Sequence, residues 1–126
     1  MRILLAEDDP KLLKSLIHIF RNNRYITDGV SNGADAFNYV ATGEYDGIVM
    51  DIMMPEVDGC EAARLIRSQQ RADAETVIIL ALTANSFAED VIRTMESGMN
   101  AHLVKPINMK ILQETVQKLL KKKNEG

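Results

Sequence analysis

The chain has one cysteine in 126 residues, Cys60. No intrachain disulfide can form, and a reducing compartment fits. No apolar stretch approaches the ~20 residues that span a bilayer. The opening residues, MRILLAEDD, turn acidic too soon for a signal peptide. A basic excess is also lacking: 15 Lys and Arg stand against 18 Asp and Glu, for a net charge of −3. That removes the electrostatic footprint of a nucleic-acid binder. The one basic run, Lys121-Lys122-Lys123, lies at the very end, where it suits a solvated helix terminus and its dipole. There is no GxGxxG and no Walker A pattern, so the glycine-built cradles for nucleotide phosphates are excluded. A soluble cytoplasmic protein is expected, without membrane or nucleic-acid contact.

What is present is an ordinary globular balance, 46% hydrophobic and 26% charged, in a length typical of one domain. Short apolar runs alternate with longer amphipathic segments. The runs are Ile3-Leu4-Leu5-Ala6, Ile48-Val49-Met50, Val77 to Leu82 and Leu103-Val104, with a weaker one around Tyr25-Ile26-Thr27 and Val30. Near-continuous apolar runs predict strands covered on both faces, as in a parallel sheet. Between them, Asp9-Pro10 reads as an N-cap with proline at the first helical position, ahead of a stripe of Leu12, Leu13, Leu16, Ile17 and Phe20. Asn32 opens a second helix with Ala36, Phe37 and Val40 inward and Gly43 near its end. Asp58-x-x-Glu61 and Ser86-x-x-Glu89 resemble capping boxes for a third helix, carrying Ala62, Leu65 and Ile66, and a fourth ending at Gly98. A fifth carries Ile111, Leu112, Val116, Leu119 and Leu120. Strict alternation of strands and helices with right-handed crossovers predicts a doubly wound, flavodoxin-like (βα)5 sandwich, α/β in class, with parallel strand order 2-1-3-4-5. One domain is expected over residues 1–121, with a frayed tail at 122–126.

In such a sheet, ligands bind beyond the carboxyl ends of the strands, at the switch point between strands 1 and 3. Strand 1 ends at Glu7-Asp8-Asp9, and strand 3 ends at Asp51 within VMDIMMPEVDG. These acids should converge there. Gathered carboxylates raise one another's pKa values, so keeping them ionised calls for a cation. Oxygen ligands without His or Cys clusters suit Mg²⁺. Thr83 follows strand 4, and Lys105 follows strand 5. A cis bond from Lys105 to Pro106 would aim the lysine back into the pocket. Taken singly, these residues read as caps, β-formers or solvated charges. Together on one edge they suit phosphoryl transfer: a carboxylate nucleophile, a metal and a lysine to spread charge, and a hydroxyl to hold a phosphoryl oxygen.

Glu7-Asp8, Val49-Met50-Asp51-Ile52-Met53-Met54-Pro55-x-x-Asp58-Gly59, Ala81-Leu82-Thr83-Ala84 and Val104-Lys105-Pro106 resemble, in order and from Ile3 to about Leu120, the motifs of response regulator receiver domains of two-component signalling. The resemblance implies that Asp51 accepts a phosphoryl group from a sensor histidine kinase or a histidine phosphotransfer protein. It implies that Asp8 and Asp51 ligate Mg²⁺, that Glu7 reaches the metal through water, and that Met53 contributes its backbone carbonyl. Thr83 matches the switch hydroxyl and Lys105 the lysine that pairs with the phosphoryl group. The output would be a shift of the face built from helix 4, strand 5 and helix 5, and a phosphorylation-dependent homodimer is compatible with it. Asp9 is read as a cap, and His18 as structural or exposed.

The chain departs from that pattern at His102, where the family has a Tyr or Phe coupled to the threonine. A packed rim histidine is one reading. A smaller, ionisable switch residue with pH-sensitive or weak coupling is the other. Two further functional classes are weighed against the switch. A phosphohydrolase with an aspartate nucleophile needs a second acid two residues later, where this chain has Met53. A metal-independent scaffold has no use for Glu7, Asp8, Asp51, Thr83 and Lys105 together. The chain is therefore expected to be a phospho-acceptor with weak autophosphorylation and autodephosphorylation, not an enzyme. Asn100-Ala101-His102 and Glu114-Thr115-Val116-Gln117 look more like receivers of hybrid kinases or phosphorelays than those of winged-helix transcription factors. A strand beginning at residue 2 suits an N-terminal receiver, or one excised from a longer protein.

Overall fold

The computed structural model describes residues 1–54, 57–69, 76–84 and 88–125, apart from the side chains of 88–90, 124 and 125. The expected Pro55 and the Ser86 cap lie outside the described residues. Five strands, β1 Arg2–Ala6, β2 Ile26–Val30, β3 Gly47–Asp51, β4 Ile78–Thr83 and β5 Ala101–Val104, form one parallel sheet in the order β2-β1-β3-β4-β5. The described helices are α1 Pro10–Asn22, α2 Gly33–Thr42, α3 Gly59–Arg67, α4 Ala88–Glu96 and α5 Met109–Glu125.

Burial follows strand position. All of β3 and β4 is buried, as is β1 after Arg2, which is why these segments are continuously apolar. The edge strands β2 and β5 are only partly covered, and their weaker patterns follow from that. On one face, Leu16 and Phe20 of α1 and Leu112, Val116 and Leu120 of α5 pack on Ile3, Leu5, Val49 and Leu80. On the other, Ala36 and Val40 of α2 and Cys60, Ala63 and Ile66 of α3 pack on Leu4, Ile48, Met50 and Ile79. Each fully buried Leu or Ile side chain contributes about 1.5–3 kcal/mol.

The caps form as their residue types dictate. Asp9 accepts from the Lys11 amide, Asn32 from Asp35 and Asp58 from Glu61. Gly98, at φ +90°, ends the turn after α4. Two stripe residues fall outside the core. Leu65 is 39% exposed and Ile111 47%, because each precedes a fully buried neighbour, Ile66 or Leu112, by about 100° of helix rotation. Helix α5 also continues through Glu125, past the point where fraying is expected. Leu120 is buried, and the Lys123 ammonium donates to the Asp46 carbonyl at 3.3 Å.

Candidate functional site

Backbone pairing runs one step past the strands at the carboxyl edge of the sheet. The Glu7 amide donates to Val30 at 3.0 Å, the Ile52 amide to Leu82 at 3.0 Å and the Lys105 amide to Thr83 at 2.7 Å. Glu7, Asp51, Thr83 and Lys105 are thus held on or beside the ladder itself, so their side chains have little freedom to drift. Gly59 lies close against Asp51 and Ile52, its amide donating to the Ile52 carbonyl at 3.1 Å. A Cβ on Gly59 would lie 2.3 Å from the Asp51 carbonyl oxygen, so only glycine admits this path.

The side chains converge as the topology predicts. Glu7 is fully buried, while Asp51 and Thr83 are each 2% exposed. Carboxylate oxygens of Glu7, Asp8 and Asp51 lie within 4.8 Å of one another. Lys105, whose bond to Pro106 is cis, places its Nζ 2.8 Å from Glu7 Oε1 and 2.9 Å from Asp51 Oδ2. The second Asp51 oxygen, Oδ1, accepts from the Met53 amide at 2.9 Å, and Glu7 Oε2 accepts from the Asp9 amide at 3.0 Å. These two backbone donors have no sequence signature, since any residue but proline supplies one. Asp8 is exposed at the mouth of the site, and the Met53 side chain is 66% exposed.

Electrostatics follow from this crowding. Burial pushes the Glu7 carboxyl up to about 7. Lys105 and the Asp9 amide pull it down, and the neighbouring acids Asp51 and Asp8 add to the rise. Burial works to lower the Lys105 ammonium, but Glu7 and Asp51 outweigh it and hold its pKa above the ordinary value. Glu7 Oε1 and Asp51 Oδ2 thus share one ammonium, at 2.8 and 2.9 Å. Three clustered acids facing a single cation are the donor set of a hard cation. Glu7, Asp8 and Asp51 fit Mg²⁺.

The expected switch residues sit beside this cluster. Thr83 closes β4, next to Leu82, which is in register with Asp51. His102 is half-buried on β5, in register with Ala81. Strand alternation therefore turns Thr83 and His102 to the same face of the sheet. His18 is exposed on α1, 3.1 Å from the Asn22 amide nitrogen. A contact absent from the sequence reading is Arg93 of α4 on Asp58, the residue that caps α3 after the Asp51 loop.

The family model described as response regulator receiver domain matches residues 3–117. The chain is 38% identical over 115 residues to hybrid signal transduction histidine kinase B of Dictyostelium discoideum, covering 84% of this chain and 6% of that protein. It is 32% identical over 122 residues to the transcriptional regulatory protein CusR of Escherichia coli strain K12, covering 97% of this chain and 52% of that protein. The chain thus spans about half or less of these curated relatives. Among solved structures, the receiver domain of sensor histidine kinase PA1611 from Pseudomonas aeruginosa PAO1 superposes with a TM-score of 0.86 at 34% identity, covering 94% of this chain and 96% of that one. That structure has a magnesium ion coordinated in its active-site cleft.

Proposed function

This chain belongs to the response regulator receiver domain family of two-component signalling, and from that premise we propose that Asp51 is its phospho-acceptor. The observation that carries the proposal is the pairing of one lysine with two buried acids from different strand ends, Lys105 Nζ lying 2.9 Å from Asp51 Oδ2 and 2.8 Å from Glu7 Oε1. A phosphohistidine on a sensor histidine kinase or a histidine phosphotransfer protein is the donor. An Asp51 carboxylate oxygen attacks phosphorus in line with the P–N bond. The new P–O bond forms as the P–N bond breaks, and the imidazole leaves as a neutral ring after taking up a proton. Lys105 then transfers its pairing from the carboxylate to the phosphoryl oxygens, and the Thr83 hydroxyl donates to one of them.

Mg²⁺ fits as the partner of this reaction, held by Asp8, Asp51 and the Met53 carbonyl, with Glu7 through water. Bound there, it would offset the negative charge that gathers on the transferring group. The chain is a switch and not a classical enzyme; Met53 stands where a hydrolase of this kind would need its second acid. Loading of Asp51 shifts the population of the α4–β5–α5 face. That face exposes Ile92, Met95, Val104 and Ile111, a surface for a target or for a second copy in a phosphorylation-dependent homodimer. His102 is proposed as the residue that follows Thr83 in this shift. The domain works in the cytoplasm and touches neither nucleic acid nor membrane; no described helix is long and apolar enough to cross one.

The test is incubation with Mg²⁺ and a small acyl phosphate, read by intact mass. One stable adduct is expected, and it should be lost in Asp51→Asn. Rapid turnover of the donor without an adduct would instead point to a hydrolase, and no reaction to a scaffold. His102→Tyr, assayed for binding of a phosphoryl mimic between pH 6 and 8, should show a weaker pH dependence than the wild type, the part due to Glu7 remaining in both. Identical profiles for the two proteins would remove His102 from the switch.

A further inference from the structure

Two glycines admit the backbone of the loop from Asp51 to Gly59 at close range. Gly59 closes the loop itself, against the Asp51 carbonyl and Ile52 Cα. Gly33 stands outside it, as the first residue of α2, and is buried. A Cβ added to Gly33 would lie 2.9 Å from the Val57 carbonyl carbon, 3.0 Å from Val57 Cγ1 and closer still to the Val57 carbonyl oxygen. With no side chain at position 33, the loop backbone rests directly on the first turn of α2.

The two sides of this contact differ in stiffness. Helix α2 begins on Asn32, whose Oδ1 accepts from the Asp35 amide at 2.8 Å, whose Nδ2 donates to Asp35 Oδ2 at 3.0 Å and whose carbonyl accepts from the Ala36 amide at 3.2 Å. Ala36 and Val40 then bury the helix in the core. The loop is irregular at Val57, and its fastenings lie towards its ends. The Met53 amide donates to Asp51 Oδ1 at 2.9 Å, the Gly59 amide to the Ile52 carbonyl at 3.1 Å and the Glu61 amide to Asp58 Oδ1 at 2.8 Å. Between them, Met54 is buried and Val57 partly buried on the same core cluster as Ala36. A displaced Val57 therefore moves the span between these fastenings, and that span begins at the Met53 carbonyl.

Resting on the reading of the Met53 carbonyl as a ligand of Mg²⁺, we propose that Gly33 is a positioning residue of the metal site and a determinant of which ion it prefers. Gly33 acts through Val57 and not on the ion. It sets how deeply the Val57 end of the loop settles on α2, and so where the Met53 carbonyl is held. That place matters most for a small ion. Mg²⁺ demands near-ideal octahedral geometry at about 2.0–2.1 Å, whereas Ca²⁺ accepts irregular oxygen sets at about 2.3–2.6 Å. A side chain at position 33 meets loop backbone, which cannot rotate out of its way, so the loop must lift. The lift disturbs an exacting site more than a tolerant one.

The experiment titrates the full, isotope-labelled chain with Mg²⁺ and, separately, with Ca²⁺, following the Met53 and Asp9 amide resonances. Gly33→Ala should weaken Mg²⁺ binding about 10-fold, the low end for a group that orients a metal ligand. It should weaken Ca²⁺ binding less, so the preference for Mg²⁺ falls. Ala36→Gly, in the same helix, should lower the melting temperature through lost helix propensity and packing, with both metal affinities at wild-type values. Val57→Gly loosens the loop and leaves α2 intact. It should also lower the preference for Mg²⁺, and it decides the question if Gly33→Ala does not fold. Wild-type Mg²⁺ affinity in a folded Gly33→Ala or in Val57→Gly would overturn the proposal. So would equal losses for the two ions, or an equal loss of Mg²⁺ affinity in Ala36→Gly. A wild type whose amides do not respond to Mg²⁺ overturns the metal reading and this proposal with it. A wild type that binds Mg²⁺ but takes no adduct on Asp51 overturns the phospho-acceptor reading alone.

Discussion

Strand β1 carries charge at both ends and uses it in opposite ways. At its start, one acid has several donors. Asp28 Oδ2 accepts from Arg2 Nε at 3.2 Å, from Arg2 Nη2 at 2.9 Å and from the Tyr45 hydroxyl at 2.7 Å. The guanidinium also lies 5.1 Å from the centroid of the Tyr45 ring. Tyr45 and Arg2 together hold the Asp28 carboxyl below the usual carboxylate range, despite some burial. At the other end, two buried acids share one lysine with a third acid beside them, and burial lifts Glu7 to about 7. The first cluster is closed: every charge is answered within the fold. The second is short of positive charge among the described residues: Glu7 and Asp51 share one ammonium, and Asp8 stands beside them. A domain can hold acids in either way, but only the second leaves them able to gain from a cation and a phosphoryl group.

The contrast breaks hardest at Lys105. Lys105→Met removes the cation that both buried acids face. It should destabilise the metal-free protein by about 3 kcal/mol, the low end for a broken buried pair because the lysine is partly exposed. Thermal or urea unfolding checks it, and added Mg²⁺ should recover more stability in the variant than in the wild type. Glu7→Gln sharpens the same point from the other side. Removing one of the crowded carboxylates should stabilise the metal-free protein by about 2 kcal/mol at neutral pH, since a raised carboxyl pKa is a cost of ionisation in the fold. The stabilisation gained from Mg²⁺ should shrink in that variant. A Glu7→Gln protein that melts lower than the wild type without metal would mean that this end is closed too.

How far the sequence carried each feature depends on what encodes it. The sheet order and the edge of acids, threonine and lysine were legible because buried strand ends seldom carry such groups, and because helical and strand periods alternate cleanly. Leu65 and Ile111 were placed with the apolar stripes but stand at their margins, since periodicity gives a stripe's direction and not its width. The length of α5 past Lys121 was hidden because Lys122 to Glu125 are polar, and the support from Asp46 is 77 residues away in sequence. The Met53 and Asp9 amides were invisible as donors because they are backbone. The Arg93–Asp58 contact joins residues 35 apart on two helices, and no local pattern marks it. Asp58 was legible as a cap, which accounts for one of its two oxygens.

The smallest expected effect tests the closed cluster. Tyr45→Phe removes a hydrogen bond to a charged acceptor and should cost about 1.5 kcal/mol. The pH dependence distinguishes that loss from simple repacking. Burial first, and then Asp28, push the Tyr45 hydroxyl up to about 12. Its folded pKa thus lies above the ordinary 10.0, so its contribution is present in full below pH 10 and is lost as pH rises from 10 to 12. Asp28 works in the other direction. Its folded pKa lies below 3.8, so its contribution is present above 3.8 and is lost as pH falls below that value. Thermal melts across the whole range should therefore show the wild type losing stability at both extremes. In Tyr45→Phe the alkaline fall between pH 10 and 12 should flatten, because the group that must stay protonated is gone. The acid fall should also become shallower, because Asp28 loses the first of the contacts that depress it and keeps Arg2 and the charge of Arg21. An unchanged alkaline limb in Tyr45→Phe would show that the tyrosine serves by packing alone, and that the closure of this end rests on the Arg2–Asp28 pair.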